Sequence, residues 1–252
     1  MTSRDFEVLL ADTDELRNIH YRLRYQVFCL ESGFEDPDKF DDRKEKDVWD
    51  ASSQHFLVRE RQSGKWAATM RLVLPRKGGL PINSHDVLNL TDKPSMKHCA
   101  EASRLCIVGH YRQRKDNKVA PFSQSSVPDM HQQQASEVTA EKAKRTASIL
   151  KALMNASAAF SYENDIRYWY MLTTRSLVRI LSHVLPLEFT RAGDACWHRG
   201  VRYPYLANLE SAFSQLQLAP EAWISSVYNQ SPTNHYPNHL NDDRQRAAVC
   251  AK

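Results

Sequence analysis

The chain has 252 residues and a formal net charge of +4, a length that fits one generous α/β domain or one domain plus a tail. Its 42% apolar and 25% charged residues are those of an ordinary globular protein, and so small a positive excess demands no nucleic acid partner. No apolar run is long enough to span a bilayer, the opening MTSRDFEV is polar, and the five cysteines have no regular spacing; these exclude a transmembrane or disulfide-built protein and lead to the expectation of a cytoplasmic one.

Phe6 to Leu10 reads as a first strand. Thr13 is placed to cap a helix, and Leu16, Ile19, Leu23, Val27 and Leu30 recur at helical spacing behind it. Glu31 to Asp50 is charged and contains a proline, the composition of a loop over a site. His55 to Glu60 and Trp66 to Leu74 read as strands joined by a turn at Ser63-Gly64. Arg76 to Lys97 is mostly loop, with a short apolar piece from Val87 to Leu90. Ala100 to Val108, AEASRLCIV, follows as a central strand.

Residues 109–138 are polar and nearly free of apolar periodicity, which predicts a mobile insertion. A helix is expected from Thr139 to Tyr162, a strand from Ile166 to Leu172 and a helix from Ser176 to Val184. Leu187 to Thr190 and Arg202 to Leu206 are the last candidate strands, and Glu210 to Tyr228 reads as one or two helices. The expected domain is 1–228, with 229–252 as a flexible tail.

The central strand holds a glutamate and an arginine among apolar residues. Simple alternation puts Glu101, Ser103 and Leu105 on one face and Ala102, Arg104 and Cys106 on the other. Buried charges are costly unless paired or used, so opposite charges three residues apart mark a structural ion pair or a polar network beside a pocket. Three further charged clusters lie upstream: YRLRYQVF on the first helix, EKDVWDASSQHFLV running into a strand, and ATMRLVLP with Arg71 in a strand.

In this order the clusters resemble the amino-terminal half of the acyl-homoserine lactone synthases and the N-acyl amino acid synthases. The matching positions are Arg24, Phe28, Asp47, Asp50, Arg71, Glu101 and Arg104. Near the carboxyl end, SLVRIL and HRGVRYPY are similar to the hallmark of the exosortase (PEP-CTERM) system-associated acyltransferases; homoserine lactone synthases lack the second element. The resemblance covers roughly Phe6 to Leu209. It implies a GCN5-related N-acetyltransferase fold, α/β (α+β), with a mixed sheet whose two middle strands splay to admit a thioester.

On that reading, backbone amides near Ser103 to Cys106 stabilise the oxyanion, and Glu101 is the best-placed base, or else a positioning group. Arg24, Asp47, Asp50, Arg71 and Arg104 form one network pinning the cover loop to the sheet. Arg71 or Arg104 forks to the carboxylate of an amino acid acceptor, since guanidinium matches carboxylate bidentately. Phe28 and Phe34 wall the pocket or simply pack the core, with Leu105, Cys106 and Tyr203 beside the substrate. The homoserine lactone synthases tend to carry tryptophan where this chain has Phe34.

After the central strand the chain reads GHYRQRKDNK, without the glycine pattern that binds a coenzyme A pyrophosphate at a helix amino terminus. The implied donor is therefore an acyl-phosphopantetheine thioester on acyl carrier protein, in preference to acyl-CoA. Arg112, Arg114, Lys142, Lys144 and Arg145 form the docking set for that acidic partner. No bound cofactor is implied. Cys196-x-His198 and His98-Cys99 lack a second ligand pair at zinc spacing, so no metal site is expected.

The leading expectation is an N-acyltransferase moving a long-chain fatty acyl group from acyl carrier protein to the amine of an amino acid or related small molecule. Two alternatives stand beside it: an acyl-homoserine lactone autoinducer synthase using S-adenosylmethionine, and a non-catalytic acyl-carrier or lipid-binding protein.

Overall fold

The structure is a computed structural model that describes residues 5–112, 130–185 and 187–218. An eight-stranded mixed sheet has the order β1-β2-β3-β4-β5-β8-β6, with β7 paired to β8. The strands are β1 (Phe6–Leu10), β2 (Ser53–Glu60), β3 (Trp66–Val73), β4 (Cys99–Ile107), β5 (Tyr168–Thr173), β6 (Glu188–Arg191), β7 (Cys196–Trp197) and β8 (Val201–Asn208).

Every pairing is antiparallel except β4 with β5. Those two are in register only from Cys99 with Tyr168 to Glu101 with Tyr170. Beyond that point β4 pairs only with β3, and β5 only with β8, so the middle of the sheet opens into a wedge.

Helix α1 (Asp14–Arg24) begins at the expected cap: the Thr13 hydroxyl accepts from the Leu16 amide at 3.2 Å. It runs on as a π-helical stretch, Tyr25–Glu31, a widened geometry that recurs at functional sites. Helix α1 and the segment to Asp50 cover one face of the sheet. Helix α2 (Met130–Glu163) covers the other, burying Ile149, Leu153, Met154 and Phe160 against Phe56, Met70, Ala102 and Trp169. Helices α3 (Arg175–Val184) and α4 (Glu210–Leu218) pack beside α2. At about 25 cal/mol per Å² of apolar surface removed from water, this two-sided burial is the main stabilising force.

Helix α2 starts at Met130, inside the segment read from sequence as an irregular insertion. Its polar first turns carry little apolar periodicity, which is why the pattern becomes visible only near Thr139. Residues 113–129, with Arg114 of the expected docking set, lie outside the described residues, as does the expected tail 229–252.

Strand β4 departs from simple alternation. Thr69 faces Cys106 and Arg71 faces Ser103, so β4 carries one extra residue against β3. Arg104 sits at φ 53, in the left-handed region unusual for a residue with a side chain. The bulge shifts the phase by one. Glu101, Ser103, Arg104 and Cys106 all look toward α1 and the cover segment, while Ala102, Leu105 and Ile107 join the core under α2. The expected pairing of Leu105 with Glu101, and of Arg104 with Ala102, is thereby corrected.

Candidate active site

The wedge opens into a cavity of about 400 Å³. Its floor is β4 from Glu101 to Leu105 and β5 from Met171 to Thr173; Phe28, Phe34 and Glu35 come from the segment after α1, and Asp47 and Trp49 from the approach to β2. His85 enters from the loop before β4, and His198, Arg199 and Arg202 from the β7–β8 hairpin.

Beneath the cover segment lies a set of three arginines and three carboxylates, of which Arg24, Glu45, Asp50 and Arg71 are buried and Asp47 and Arg104 partly so. Arg24 binds Glu45 and donates from Nη1 to Asp50 Oδ1 at 2.5 Å. Arg71 forks to Asp47 at 2.7 and 2.9 Å, reaches Asp50 at 2.6 Å, and donates from Nε to Ser103 Oγ at 3.0 Å. Arg104 donates from Nε to Glu45 Oε1 at 3.1 Å and from Nη2 to Asp47 Oδ2 at 3.0 Å. Side chains this buried carry charge only because each has partners. The Arg71 and Arg104 guanidiniums hold the Asp47 carboxyl down at about 2, against the upward push of burial.

The expected network is therefore assembled, with Glu45 as an added member. Glu45 stood in the sequence two residues before Asp47, and nothing in its spacing marked it as buried. The expectation that Arg71 or Arg104 forks to a substrate carboxylate meets an obstacle: the Arg71 fork is occupied by Asp47, and Arg104 bridges Glu45 and Asp47.

Glu101 is different. Its Oε2 accepts the Ile82 backbone N–H at 2.6 Å, and neither Arg71 nor Arg104 lies within ion-pair distance of it among the described residues. Burial pushes its carboxyl up to about 7, with the Asp47 charge adding to the rise; the Ile82 amide, Arg71 and Arg104 oppose it. A carboxyl poised there can both take and return a proton near neutral pH. The loop carrying Ile82 packs its own small core with Leu80, Val87, Cys99 and Tyr170, which fixes the amide against Glu101.

Of the residues expected at the substrate, Phe28, Phe34, Asp47, Arg71, Glu101, Ser103, Arg104 and Leu105 line the cavity. Arg24 and Asp50 do not; they support it from beneath. Cys106 is buried toward α1 by the phase shift and does not line the cavity; burial pushes its thiol up to about 12. Tyr203 is also elsewhere, its ring between the guanidiniums of Arg175 and Arg191 at 4.5 and 4.7 Å. In its place the hairpin supplies His198, Arg199 and Arg202, the last read from sequence as the first residue of a strand.

Of the expected docking residues, Arg112 pairs with Glu31 at 3.5 Å, Arg145 pairs with Glu141 at 3.4 Å, and Lys142 and Lys144 are exposed on α2; Thr146 Oγ1 donates to Tyr111 O at 2.7 Å, joining the Arg112 segment to that helix. Among the described residues His20, Asp50 and His55 have metal-ligand composition. His20 is engaged by Thr69 and Arg24, and Asp50 by Arg24 and Arg71. Burial, helped by Arg24 and Arg71, pushes both imidazoles down, His55 to about 4, beside an Asp50 carboxylate already committed to the two guanidiniums.

The family model described as Acetyltransferase (GNAT) domain matches residues 23–120. The CoA-dependent acyl-homoserine lactone synthase BjaI, solved with SAM and isopentyl-CoA, superposes with TM-score 0.62 at 16% identity, covering 97% of this chain and 100% of that one. TofI, in a ternary complex with an inhibitor and MTA, gives 0.57 at 15% identity over 85% and 98% of the two chains. The AHL synthase LasI gives 0.54 at 18% identity over 92% and 98%. No curated protein sequence matches this chain. The splayed mixed sheet and these superpositions agree: the chain has the GNAT-like fold of the acyl-homoserine lactone synthases, and residues 23–120 match the GNAT acetyltransferase domain model.

Proposed function

We propose that the protein is an N-acyltransferase that moves a long-chain fatty acyl group from acyl carrier protein to the amine of an amino acid or related small molecule. The observation that carries this reading is Glu101: a buried carboxyl at about 7, on the strand that borders the wedge. Beyond Glu101, β4 has no strand on its β5 side, so the main-chain groups along that edge have no strand to bind. An amide in that position can donate to the oxygen of a thioester carbonyl as it becomes an oxyanion.

The amine nitrogen attacks the thioester carbon and forms the C–N bond. Glu101, ionised, takes the proton the amine gives up, through a water. The C–S bond then breaks, and the proton returns to the departing thiolate, leaving an amide and a free thiol. Leu105, Met171, Leu172 and Leu177 supply apolar wall for the acyl chain.

Two features favour carrier protein over CoA as the source of the thioester. The chain after β4 lacks the glycine pattern for a pyrophosphate, and α2 presents Lys142 and Lys144 to solvent. The association with exosortase systems rests on SLVRIL and HRGVRYPY alone.

A second reading, acyl-homoserine lactone synthesis from S-adenosylmethionine, is supported by the likeness to BjaI, TofI and LasI. Purified protein incubated with acyl carrier protein or CoA thioesters, amino acids or S-adenosylmethionine, and analysed by mass spectrometry, separates the two. N-acyl amino acids formed from the carrier-bound donor are the expected result. Homoserine lactones alone would establish the second reading, and no product at all would favour a lipid-binding protein.

A further inference from the structure

Resting on the acyl-transfer reading, we infer that Arg202 is the carboxylate-binding residue of this site, so that the acceptor is an α-amino acid held by its own carboxylate. The charge balance of the cavity leads there. Arg24, Arg71 and Arg104 are matched by Glu45, Asp47 and Asp50. Arg199 is matched by Glu35. Arg202 lines the same cavity and has no carboxylate partner among the described residues. Among the described residues it is the one guanidinium in the wall without a carboxylate partner, and so is left for a ligand to neutralise.

Its placement is built by the hairpin. Arg199 at φ 53 and Gly200 at φ 106 make a tight left-handed turn between β7 and β8. A Cβ on Gly200 would stand 3.1 Å from Arg202 Nη1, so glycine leaves the space in which the guanidinium lies. Two backbone carbonyls hold it there: Nη1 donates to Val201 O at 3.1 Å and Nη2 to Arg199 O at 2.9 Å. A guanidinium has five N–H donors, so most remain for a carboxylate. Ordering by neutral carbonyls fixes the side chain and leaves its charge unspent. His198, edge-on to His85 with ring centroids 4.9 Å apart, accepts from Arg199 Nη1 at 2.8 Å and is pushed down by burial, His85, Arg104 and Arg202.

The same anion chemistry could come from the phosphate of a pantetheine arm. That phosphate lies at the far end of the arm from its sulfur, whereas the carboxylate and amine of an α-amino acid share one carbon. Arg202 and Glu101 line one cavity of about 400 Å³, which suits a carboxylate and an amine carried on one small molecule; a phosphate at Arg202 would instead show as a change in the donor KM alone. The conclusion holds equally for a free amino acid and for the amino acid end of S-adenosylmethionine.

The test uses binding as well as turnover, so that it can fail separately from the acyl-transfer reading. N-dodecanoylglycine and its uncharged amide, N-dodecanoylglycinamide, are titrated into wild type, Arg202→Ala and Arg202→Lys. Wild type should prefer the acid by roughly 10- to 100-fold, Arg202→Ala should lose that preference, and Arg202→Lys should recover part of it. In steady-state assays Arg202→Ala should raise KM for the amino acid while KM for the acyl donor moves little. Equal affinity of wild type for the two ligands, binding of neither, or a rise confined to the donor KM overturns the inference. Discrimination between the ligands without any turnover would keep it and discard the acyl-transfer reading instead.

Discussion

Replacing Glu101 by glutamine separates its two physical roles. The carboxyl ordinarily ionises at 4.5 and is pushed up to about 7 in the fold. Because the folded value lies above the unfolded one, the folded state binds more protons, and stability falls as pH rises between those values. The penalty is absent below about 4.5, grows up to about 7, and amounts to about 3 kcal/mol above that. Glutamine keeps an oxygen for the Ile82 amide and cannot ionise. Between pH 4.5 and pH 8, Glu101→Gln should therefore gain about 3 kcal/mol relative to wild type, roughly 6–12 °C in melting temperature for a chain of this size. Catalysis should move the other way. Loss of a positioned base typically costs ~10²–10⁴-fold in rate. The wild-type kcat/KM should rise through a pH near 7, and that limb should vanish in the variant. Scanning calorimetry at the two pH values, with pH–rate profiles, gives both readouts. A well-folded Glu101→Gln with wild-type rate and an unchanged limb would remove Glu101 from the chemistry; an unchanged stability difference across pH would contradict its buried, raised carboxyl.

Asp50→Asn takes one carboxylate from between two buried guanidiniums and should cost about 3–5 kcal/mol in chemical denaturation, where a loss under ~1 kcal/mol would contradict the network. Arg104→Lys keeps the charge but cannot span Glu45 and Asp47, so melting temperature should fall and KM for both substrates should change together; a stable, fully active variant would refute that bracing role. Charge reversal of Lys144 and Arg145 to Glu should weaken use of acyl carrier protein more than use of a small acyl-thioester, with added salt mimicking the effect. Equal losses with both donors would exclude this face as the docking site.

The order of elements was readable because burial on two sides of a sheet writes itself as periodicity, and the cap at Thr13 is local. Charges among apolar residues pointed to Arg24, Arg71, Glu101 and Arg104, since a buried charge is too costly to be incidental. Glu45 was hidden, because a carboxylate in a charged loop looks solvated until the fold closes over it. The bulge was hidden too. Within β4 only Arg104 adopts positive φ, and no glycine announces it, so period-2 reasoning misassigned Arg104, Leu105 and Cys106. Arg202 looked like one more cation in a strand; its role depends on which carboxylates the others consume, a property of the assembled set and not of any spacing.

The short seam between β4 and β5 has a mechanical consequence. Three residue pairs join two halves of an eight-stranded sheet, and the shared core under α2 does most of the joining. A ligand that accepts hydrogen bonds from β4 within the wedge completes the sheet as a missing strand would. Its arrival turns two leaves held at a spine into one plate, and the main-chain amides of residues 102–107 become the place where that stiffening is felt, as slowed exchange with solvent hydrogen.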